Sequence, residues 1–496
     1  MEDRNAFSWN SLIRGYSLAG QKEAALKLFQ EMRKEGILSP DRFTLPALLS
    51  GAVHAGTLDE EFRSLHSYII KVGLLMDPFV ATSLIAMYSA RRAYEESKMA
   101  FDDANSVDVG VWSSMITASM KNEEGEKALE LFTEMLDLEI KPNRFIFSTL
   151  FTACGELSAL EIGKQIHGYC SKSIEFSDNA TQNSLINMYS NCGMIEEAMK
   201  AFDLIKKPNV ISYNSVISAL AQHGLPEKAS EQFKRMKLHD LAPDEITILS
   251  LLTAFNHAGL VKEGLKLFSL MEDKYMIKAT YQHHASIVDL LARAGEIDDS
   301  IRFINEMPLK PETSVWRIVL GACSKHQEIE IGKRVAKMLI EEEPLQAANY
   351  VLLANNYARV EKWIEAEKIK QMMNARGLEK DAGFSWIEIN RRIQRFGVQD
   401  KSHPLSEDIY KRLHELINKI KAAGYVPDIS FTTVQDGGDD TREESLYYHS
   451  EKLAFAYGDL LTNEKVKLRI MKNIRVCGDC HQAYMHFSLI TGKRFC

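Results

Sequence analysis

A chain of 496 residues is too long for one ordinary core, so several domains or one repeat array are expected. A hydrophobic content of 45% with 26% charged residues excludes a disordered chain, and a net charge of -8 excludes a grip on nucleic acid by bulk electrostatics, leaving local basic strips and base contacts to hold any RNA. The seven cysteines are mostly isolated, which excludes a secreted disulfide framework, and no apolar run is long enough to span a bilayer.

The N-terminus, MEDRNAFSWN, is acidic and enters a helical pattern at once. It has no apolar h-region and no Arg- and Ser-rich transit segment, which leaves either a cytosolic protein or a leader missing from this chain.

Residues 6–312 repeat themselves. WNSLIRGYSLAGQKEAALKLFQEM begins at Trp9, WSSMITASMKNEEGEKALELFTEM at Trp112 and YNSVISALAQHGLPEKASEQFKRM at Tyr213. A second set runs in phase from Phe43, Phe145 and Ile246, and a third, shorter set from Thr82, Asn183 and Ala285. The units thus alternate in length, at roughly 35, 35 and 31 residues, and form three triplets, or about nine repeats. Each unit reads as two helices. In the first unit Trp9, Leu12, Ile13 and Tyr16 share one face, Gly20 breaks the chain, and Ala24, Ala25, Leu28, Phe29 and Met32 form a second apolar stripe. Helix pairs of this size cannot bury both stripes alone, so neighbours must stack into a superhelix. The aromatic and Met positions are therefore core, and Cys154, Cys170, Cys192 and Cys323 within the helical patterns are small core fillers.

The alternating long and short units, with NSLINMYSNCG at 183–193, HAGLVKEGLKLF at 257–268 and ASIVDLLARAG at 285–295, resemble the plant pentatricopeptide-repeat family in its P-L-S subclass. Stacked repeats of this kind read one RNA base per repeat through two or three side chains. The resemblance implies that one reader lies near the start of each first helix and the other is the last residue of the unit. These pairs are Asn10 with Asp41, Thr82 with Asp108, Ser113 with Asn143, Asn183 with Asn209, and Asn214 with Asp244. The long-unit pairs Pro46 with Asp77 and Ser148 with Asp178 carry less information in the family, and Leu249 and Ala285 can donate no side-chain hydrogen bond. The family's code then implies the RNA motif U-n-G-A-n-C-U-n-n, with n weakly specified. Ser, Thr, Asn and Asp are also the preferred helix N-caps, so the same residues have a purely structural use. A protein-binding helical solenoid is the competing use of such an array, and the paired polar positions argue against it.

Residues 313–380 hold two more degenerate helix pairs, similar to the family's E motifs, with Trp316 and Leu320 as core by spacing. In residues 381–427, an E+ type extension by the same resemblance, FSWIEINRRIQRFGV alternates as a hairpin turning near Asn390-Arg391. Ser406 then caps a helix that stops at Gly424, and His403 is a turn residue. The chain keeps the family's SWIE and SHP segments but carries Ala382 where proline is usual.

Residues 428–496 carry the chemistry. His449-Ser-Glu451, followed after a strand-like KLRIMKNIRV by Cys477-Gly-Asp-Cys480, is the residue set of a zinc-dependent base deaminase. One imidazole and two thiolates would hold Zn2+ with a position left for water, and the nearby carboxylate would move protons. Each half alone is weak, since a lone Cys-x-x-Cys could be a redox pair or half of a structural zinc site. The stretch TTVQDGGDDTREES before His449 reads as a mobile loop over the pocket or a plain linker. HSEKLAFAYG and NIRVCGDCH resemble the family's DYW domain. That resemblance implies zinc on His449, Cys477 and Cys480, Glu451 as proton shuttle, and hydrolysis of cytidine to uridine with loss of ammonia. His481 is either part of a second zinc site or a surface residue.

Family members continue past the position of Gly492 with further segments, including a second Cys-x-Cys and a terminal Asp-Tyr-Trp, where this sequence reads ITGKRFC. The expectation is a mainly α chain: an α-solenoid superhelix of helix-turn-helix repeats, then a small α/β deaminase-like domain, shortened at its end. The enzyme question stays open at that point. By the resemblance the chain selects organelle transcripts, in plastid or mitochondrion, for C-to-U editing, or serves as a non-catalytic RNA-binding factor. Its partners would be single-stranded RNA and other editing factors or a deaminase in trans, with neither membrane nor DNA.

Overall fold

The computed structural model describes residues 5–35, 39–52, 60–104, 108–360, 362–379, 382–390, 392–429, 439–462, 467–474 and 476–493. Among these lie 26 α-helices and three β-strands, so the chain is mainly α as the periodicity requires. No helix among the described residues is long and apolar enough to cross a membrane. The chain forms two compact units, Met1–Met188 and Tyr189–Cys496.

The first unit is built from helix pairs beginning with Ala6–Leu18 and Lys22–Glu35. The first helix of each pair lies against the first helix of the next: Ala6–Leu18 on Thr44–Ala52, Pro78–Ala90 on Val109–Lys121, and the latter on Arg144–Leu157. Each start is fixed by a polar cap whose side chain accepts a backbone amide, as Asn5 does from Ser8 at 2.9 Å and Asn143 from Ile146 at 3.0 Å. The link between paired helices needs a left-handed residue, supplied by Gly20 at φ 70° and by Glu123 at φ 66° at the equivalent point. A residue with a Cβ costs about 1 kcal/mol there, so the glycine is the less strained choice.

The sequence-predicted stripe of the first helix is only half right. Trp9 and Ile13 are buried, but Leu12 and Tyr16 are exposed at 44% and 38%, and Ser17 is buried instead. The reason is the absence of a neighbour on that side among the described residues. At the equivalent points in the Val109–Lys121 helix, which has a helix pair on either side, Met115 and Ser119 are fully buried. The four predicted core cysteines, Cys154, Cys170, Cys192 and Cys323, are all buried.

In the second unit the helix-pair pattern continues through Trp363–Ala375, again with first helices in contact: Val210–Gln222 on Glu245–Ala258, then Tyr281–Ala294, Thr313–His326 and Ala347–Ala358. One core gathers Val288, Val315, Val319, Leu320, Val335 and Leu339. Leu320 is core as expected, but Trp316 is only partly buried at its edge, because Val315 and Val319 occupy the inward positions.

Three strands follow: β1 (Ser385–Ile389), β2 (Arg392–Phe396) and β3 (Ile470–Lys472), in the antiparallel order β2-β1-β3. The hairpin turns at Asn390, which takes φ 52°, while Arg391 lies outside the described residues. The alternation of Ser385, Ile387 and Ile389 faces inward, onto Leu413, Leu416 and Ile417 of the helix Ser406–Ala422 and Leu453 and Phe455 of Ser450–Leu461. Ser406 does not cap its helix. It is the first helical residue, and the turn before it is held by His403, whose Nδ1 accepts from the Leu405 amide at 3.0 Å and whose carbonyl accepts from the Ser406 amide at 2.9 Å. The His403 turn reading therefore holds. The strand-like segment before the cysteines is shorter than its pattern, covering Ile470–Lys472. In the polar stretch before His449, residues 430–438 lie outside the described residues, and Asp439–Tyr447 form a helix where a loop or linker was expected.

Candidate functional site

Two sets of sequence-predicted residues can be located. In the first unit, Asn10 Nδ2 donates to Asp41 Oδ1 at 3.2 Å across 31 residues of sequence. The same Asp41 oxygen caps the next helix, accepting the Thr44 amide at 2.8 Å, and the Thr44 hydroxyl donates to Asn10 Oδ1 at 2.6 Å. In the second unit Asn214 donates to both Asp244 oxygens, at 2.9 and 3.0 Å. There Thr247 Oγ1 repeats the Thr44 role with a 2.6 Å bond to Asn214 Oδ1. One acid thus both starts a helix and holds the amide of an asparagine from the first helix of its own repeat. Burial acts to raise the Asp41 carboxyl, but bonds from the Thr44 and Phe43 amides, the Thr44 hydroxyl and Asn10 outweigh it and hold it below its ordinary value.

The other pairs are less closely joined. Asp108 caps through the Gly110 amide at 2.7 Å, Asn143 through Ile146 and Asn209 through the Ser212 amide at 3.0 Å. Thr82 and Ser113 are half-buried, and no bond joins Ser113 to Asn143 among the described residues. Asn183 is buried with its Oδ1 unpartnered. Asp77 and Asp178 also cap, accepting the Phe79 amide at 3.0 Å and the Thr181 amide at 3.2 Å.

Beside the caps stands a series of large apolar side chains left in solvent: Phe43, Phe79, Phe145, Ile211 and Ile246, each between 59% and 61% exposed. Helical spacing alone assigned such residues to the core. The signal that could have found them is their place, two residues after the cap in Phe43, Phe79, Phe145, Ile211 and Ile246 alike. Around Asn10, Asp41, Phe43 and Phe79 the surface forms a cleft of about 800 Å³.

The second set converges in the second unit. His449 is the N-cap residue of Ser450–Leu461, and Cys477 the N-cap of Gly478–Thr491, so both helix N-termini point into one place. His449 Nδ1 lies 3.3 Å from Cys480 Sγ and 3.6 Å from Cys477 Sγ. Together with a Glu451 oxygen, the four potential ligand atoms fall within 4.8 Å of one another. The Cys480 amide donates to Cys477 Sγ at 3.4 Å. A bond from Cys480 and the neighbouring His449, against the opposing effect of burial, pull the Cys477 thiol down to about 5. The positive ends of two helices favour thiolate in the same sense.

Glu451 is fully buried. Burial acts to raise its carboxyl, but the charge and hydrogen bond of Lys472 outweigh it and hold the group below its ordinary value. Ser450 Oγ donates to Glu451 Oε2 at 3.2 Å and in turn meets Ser385 Oγ of β1 at 2.9 Å, while Tyr484 O–H donates to the Glu451 carbonyl at 2.8 Å. Lys472 and Ser385 carried no signal in the sequence, because they come to Glu451 and to its neighbour Ser450 from strands 21 and 65 residues away. His481 is exposed.

Parts of the chain match known families. Residues 424–496 match the DYW family of nucleic acid deaminases, residues 326–388 the E motif, and residues 4–54, 107–156 and 208–257 the PPR repeat family, with further PPR repeats at 183–210 and 246–276. Among curated relatives, pentatricopeptide repeat-containing protein At4g33170 of Arabidopsis thaliana is 37% identical over 98% of this chain and 49% of its own length. The chloroplastic At3g49170 of the same plant is 35% identical over 99% and 58%. The chain therefore spans about half to three-fifths of these two relatives. It covers 75% of the mitochondrial At2g03880 of Arabidopsis thaliana at 37% identity. Of solved structures, the crystal structure of the maize pentatricopeptide repeat protein PPR10 aligns with 75% of this chain and 64% of its own, at 16% identity and a TM-score of 0.39. With its repeats, E motif and deaminase segment in this order, and with three-quarters of a curated relative matched at that identity, the chain belongs to the pentatricopeptide repeat-containing proteins.

Proposed function

We propose that this protein binds single-stranded RNA in a sequence-specific manner and directs C-to-U editing of organelle transcripts, with the centre at His449 as a zinc-dependent cytidine deaminase site. The observation that carries the reading is the convergence of His449, Cys477 and Cys480 beside a buried carboxylate, from positions 28 and 31 residues apart in sequence.

The donor set fits zinc. Bonds of about 2.3 Å to sulfur and about 2.0 Å to imidazole, at tetrahedral angles, separate the donors by about 3.5 to 3.8 Å. The observed 3.3 and 3.6 Å are close to that. His449, Cys477 and Cys480 would hold the ion. When bound, zinc supplies a water of lowered pKa and a Lewis acid.

The chain's own groups supply the rest. Glu451 enters ionised, so it can accept a proton at a carboxylate oxygen and return it to the departing amine. Lys472 and Ser450 fix its orientation, and Tyr484 holds its backbone. Selection of the RNA rests on the reader pairs, of which Asn10–Asp41 and Asn214–Asp244 are preorganised, and on the exposed Phe and Ile side chains as stacking surfaces for bases. The RNA-bound crystal form of maize PPR10 concerns that protein. Organelle residence belongs to the same proposal, supported by relatives named chloroplastic and mitochondrial.

A second reading, an RNA-binding factor with its deaminase supplied in trans, is favoured by one detail: both Glu451 oxygens have partners within the chain, Lys472 and Ser450. The test is incubation of the zinc-loaded protein with an RNA carrying U-n-G-A-n-C-U-n-n upstream of a cytidine. Conversion to uridine by the wild type and none by Glu451→Ala supports the first reading. Binding without conversion by either supports the second, and no binding of this RNA over a scrambled one overturns both.

A further inference from the structure

Arg42 and Arg144 are built alike, 102 residues apart, at the starts of the two long units of the first triplets. Each guanidinium lies over aromatic rings, Arg42 at 5.5 Å from the Phe43 centroid and 4.9 Å from Phe79, and Arg144 at 4.9 Å from Phe145. Each is also anchored by the last residue of its own unit. Arg42 meets Asp77 Oδ2 at 3.4 Å, and Arg144 meets Asp178 Oδ1 at 3.5 Å. The other oxygen of each acid accepts the amide that caps the following helix. The carboxylate that elsewhere holds a base-reading amide is here shared between a cap and a guanidinium. Pro46, at the partner position, has nothing to donate.

We propose that Arg42 and Arg144 are phosphodiester-binding sites, which fix the RNA backbone at two units whose base reading is weak. The inference rests on the RNA-binding reading above. A guanidinium has five N–H donors, and a single anchoring contact leaves most of them unused. Both side chains remain about half exposed, at 46% and 53%, so those donors are open to a ligand. Stacking and ion pairing fix the plane of the group in advance, so less rotamer entropy is lost when a phosphate docks. Arg42 also lines the cleft that contains Asn10 and Asp41. The need is set by charge: at -8 overall, the chain must meet a polyanion through a few fixed cations. Exposed lysines would meet the same charge without fixing the strand in register.

The test measures the affinity of the full chain for a U-n-G-A-n-C-U-n-n RNA across a salt series. A single-strand phosphate contact contributes about 0.7 to the slope of log affinity against log salt, so the Arg42→Gln/Arg144→Gln variant should lose about 1.4 from the slope. Its base preferences should stay unchanged. The Arg42→Lys/Arg144→Lys variant keeps the charge and should keep the slope. An unchanged slope in the Gln variant, or an altered preference at one base, overturns the inference. A measurement on the wild type alone guards against a variant that fails to fold: neutral methylphosphonate placed at each linkage in turn should weaken binding at two linkages, and a uniform effect overturns the inference as well. If the wild type binds this RNA no better than a scrambled one at every salt, the RNA-selective reading falls first; two sensitive linkages in such non-selective binding would still uphold the phosphate sites.

Discussion

Lys452 and Asp479 form an ion pair, Nζ to Oδ2 at 2.7 Å, with neither side chain exposed to solvent. Lys452 follows Glu451, and Asp479 stands between the two cysteines, so the pair ties together the starts of the two helices that carry the candidate metal ligands. The Tyr425 hydroxyl donates to Asp479 Oδ1 at 2.6 Å, and Lys452 also donates to the Leu446 carbonyl at 3.1 Å. Removing one partner would leave the other charge buried and unpaired, which costs about 3–5 kcal/mol. Lys452→Met alone and Asp479→Leu alone should each lower the unfolding midpoint strongly. The double variant should recover part of the loss, because no buried charge is left, while the bonds from the Tyr425 hydroxyl and the Asp428 amide to Asp479 and from Lys452 to the Leu446 carbonyl stay lost. Additive losses in a double-mutant cycle by chemical denaturation would refute the coupling.

Asn214 and Asp244 should separate by two measurements. Asn214→Ala removes an amide that donates to both carboxylate oxygens but leaves the helix cap in place. The loss of one hydrogen-bonding group is worth about 0.5–1.5 kcal/mol. RNA affinity should therefore fall about 2- to 10-fold, with the loss confined to one base position, and the melting temperature should move little. Asp244→Ala removes the cap as well and should cost about 1 kcal/mol of stability in addition. Competition binding against RNAs altered at single positions, with thermal melts in parallel, checks both.

Much of this arrangement was legible in the sequence, and the failures share a physical cause. The recurrence of Trp9, Trp112 and Tyr213 gave the period of the triplets, and the His-x-Glu and Cys-x-x-Cys spacings, each local, gave the residues of the site, whose meeting across 28 and 31 residues came from their resemblance to a known pattern. Burial of Leu12 and Tyr16 depends on whether a neighbour stacks on that side, which no residue of that helix records. The Lys452–Asp479 pair spans 27 residues, and in sequence a lysine after a glutamate reads as solvated surface. Lys472 reaches Glu451 from β3, 21 residues on in sequence. Asp439–Tyr447 follows Gly-Gly and was read as a loop or linker, although its acidic first residues suit a helix N-terminus.

The Asp41 carboxyl, held below its ordinary value of 3.8, gives the first unit an acid limit. A depressed folded-state value means that the carboxylate stabilises the fold fully above the unfolded value, and that this contribution is lost as pH falls through the folded one. Melting temperature should thus be insensitive to this group at neutral pH and fall only below about pH 4. Asp41→Asn should melt lower at pH 7 and show a smaller drop between about pH 5 and 3 than the wild type. An equal acid drop in both proteins would show that the Asn10–Asp41–Thr44 cluster contributes nothing to it.

Glu451 lies by distance within the group that could hold a metal ion, yet both its carboxylate oxygens have other partners. One oxygen is in an ion pair with Lys472 and the other accepts from Ser450, so neither is directed to an ion without breaking a buried contact. His449, Cys477 and Cys480, by contrast, have only one another as near polar partners for their ligand atoms in the described structure. Metal content should follow that division. Glu451→Gln should retain about one zinc per chain, since three ligands and a water complete a catalytic tetrahedron, whereas Cys477→Ser should lose it. Adding zinc should raise the melting temperature of the wild type and of Glu451→Gln, because a ligand that binds only the folded state stabilises it by mass action, and should leave Cys477→Ser unmoved. Loss of zinc from Glu451→Gln would make the glutamate a fourth ligand, closing the position that the proposed hydrolysis requires.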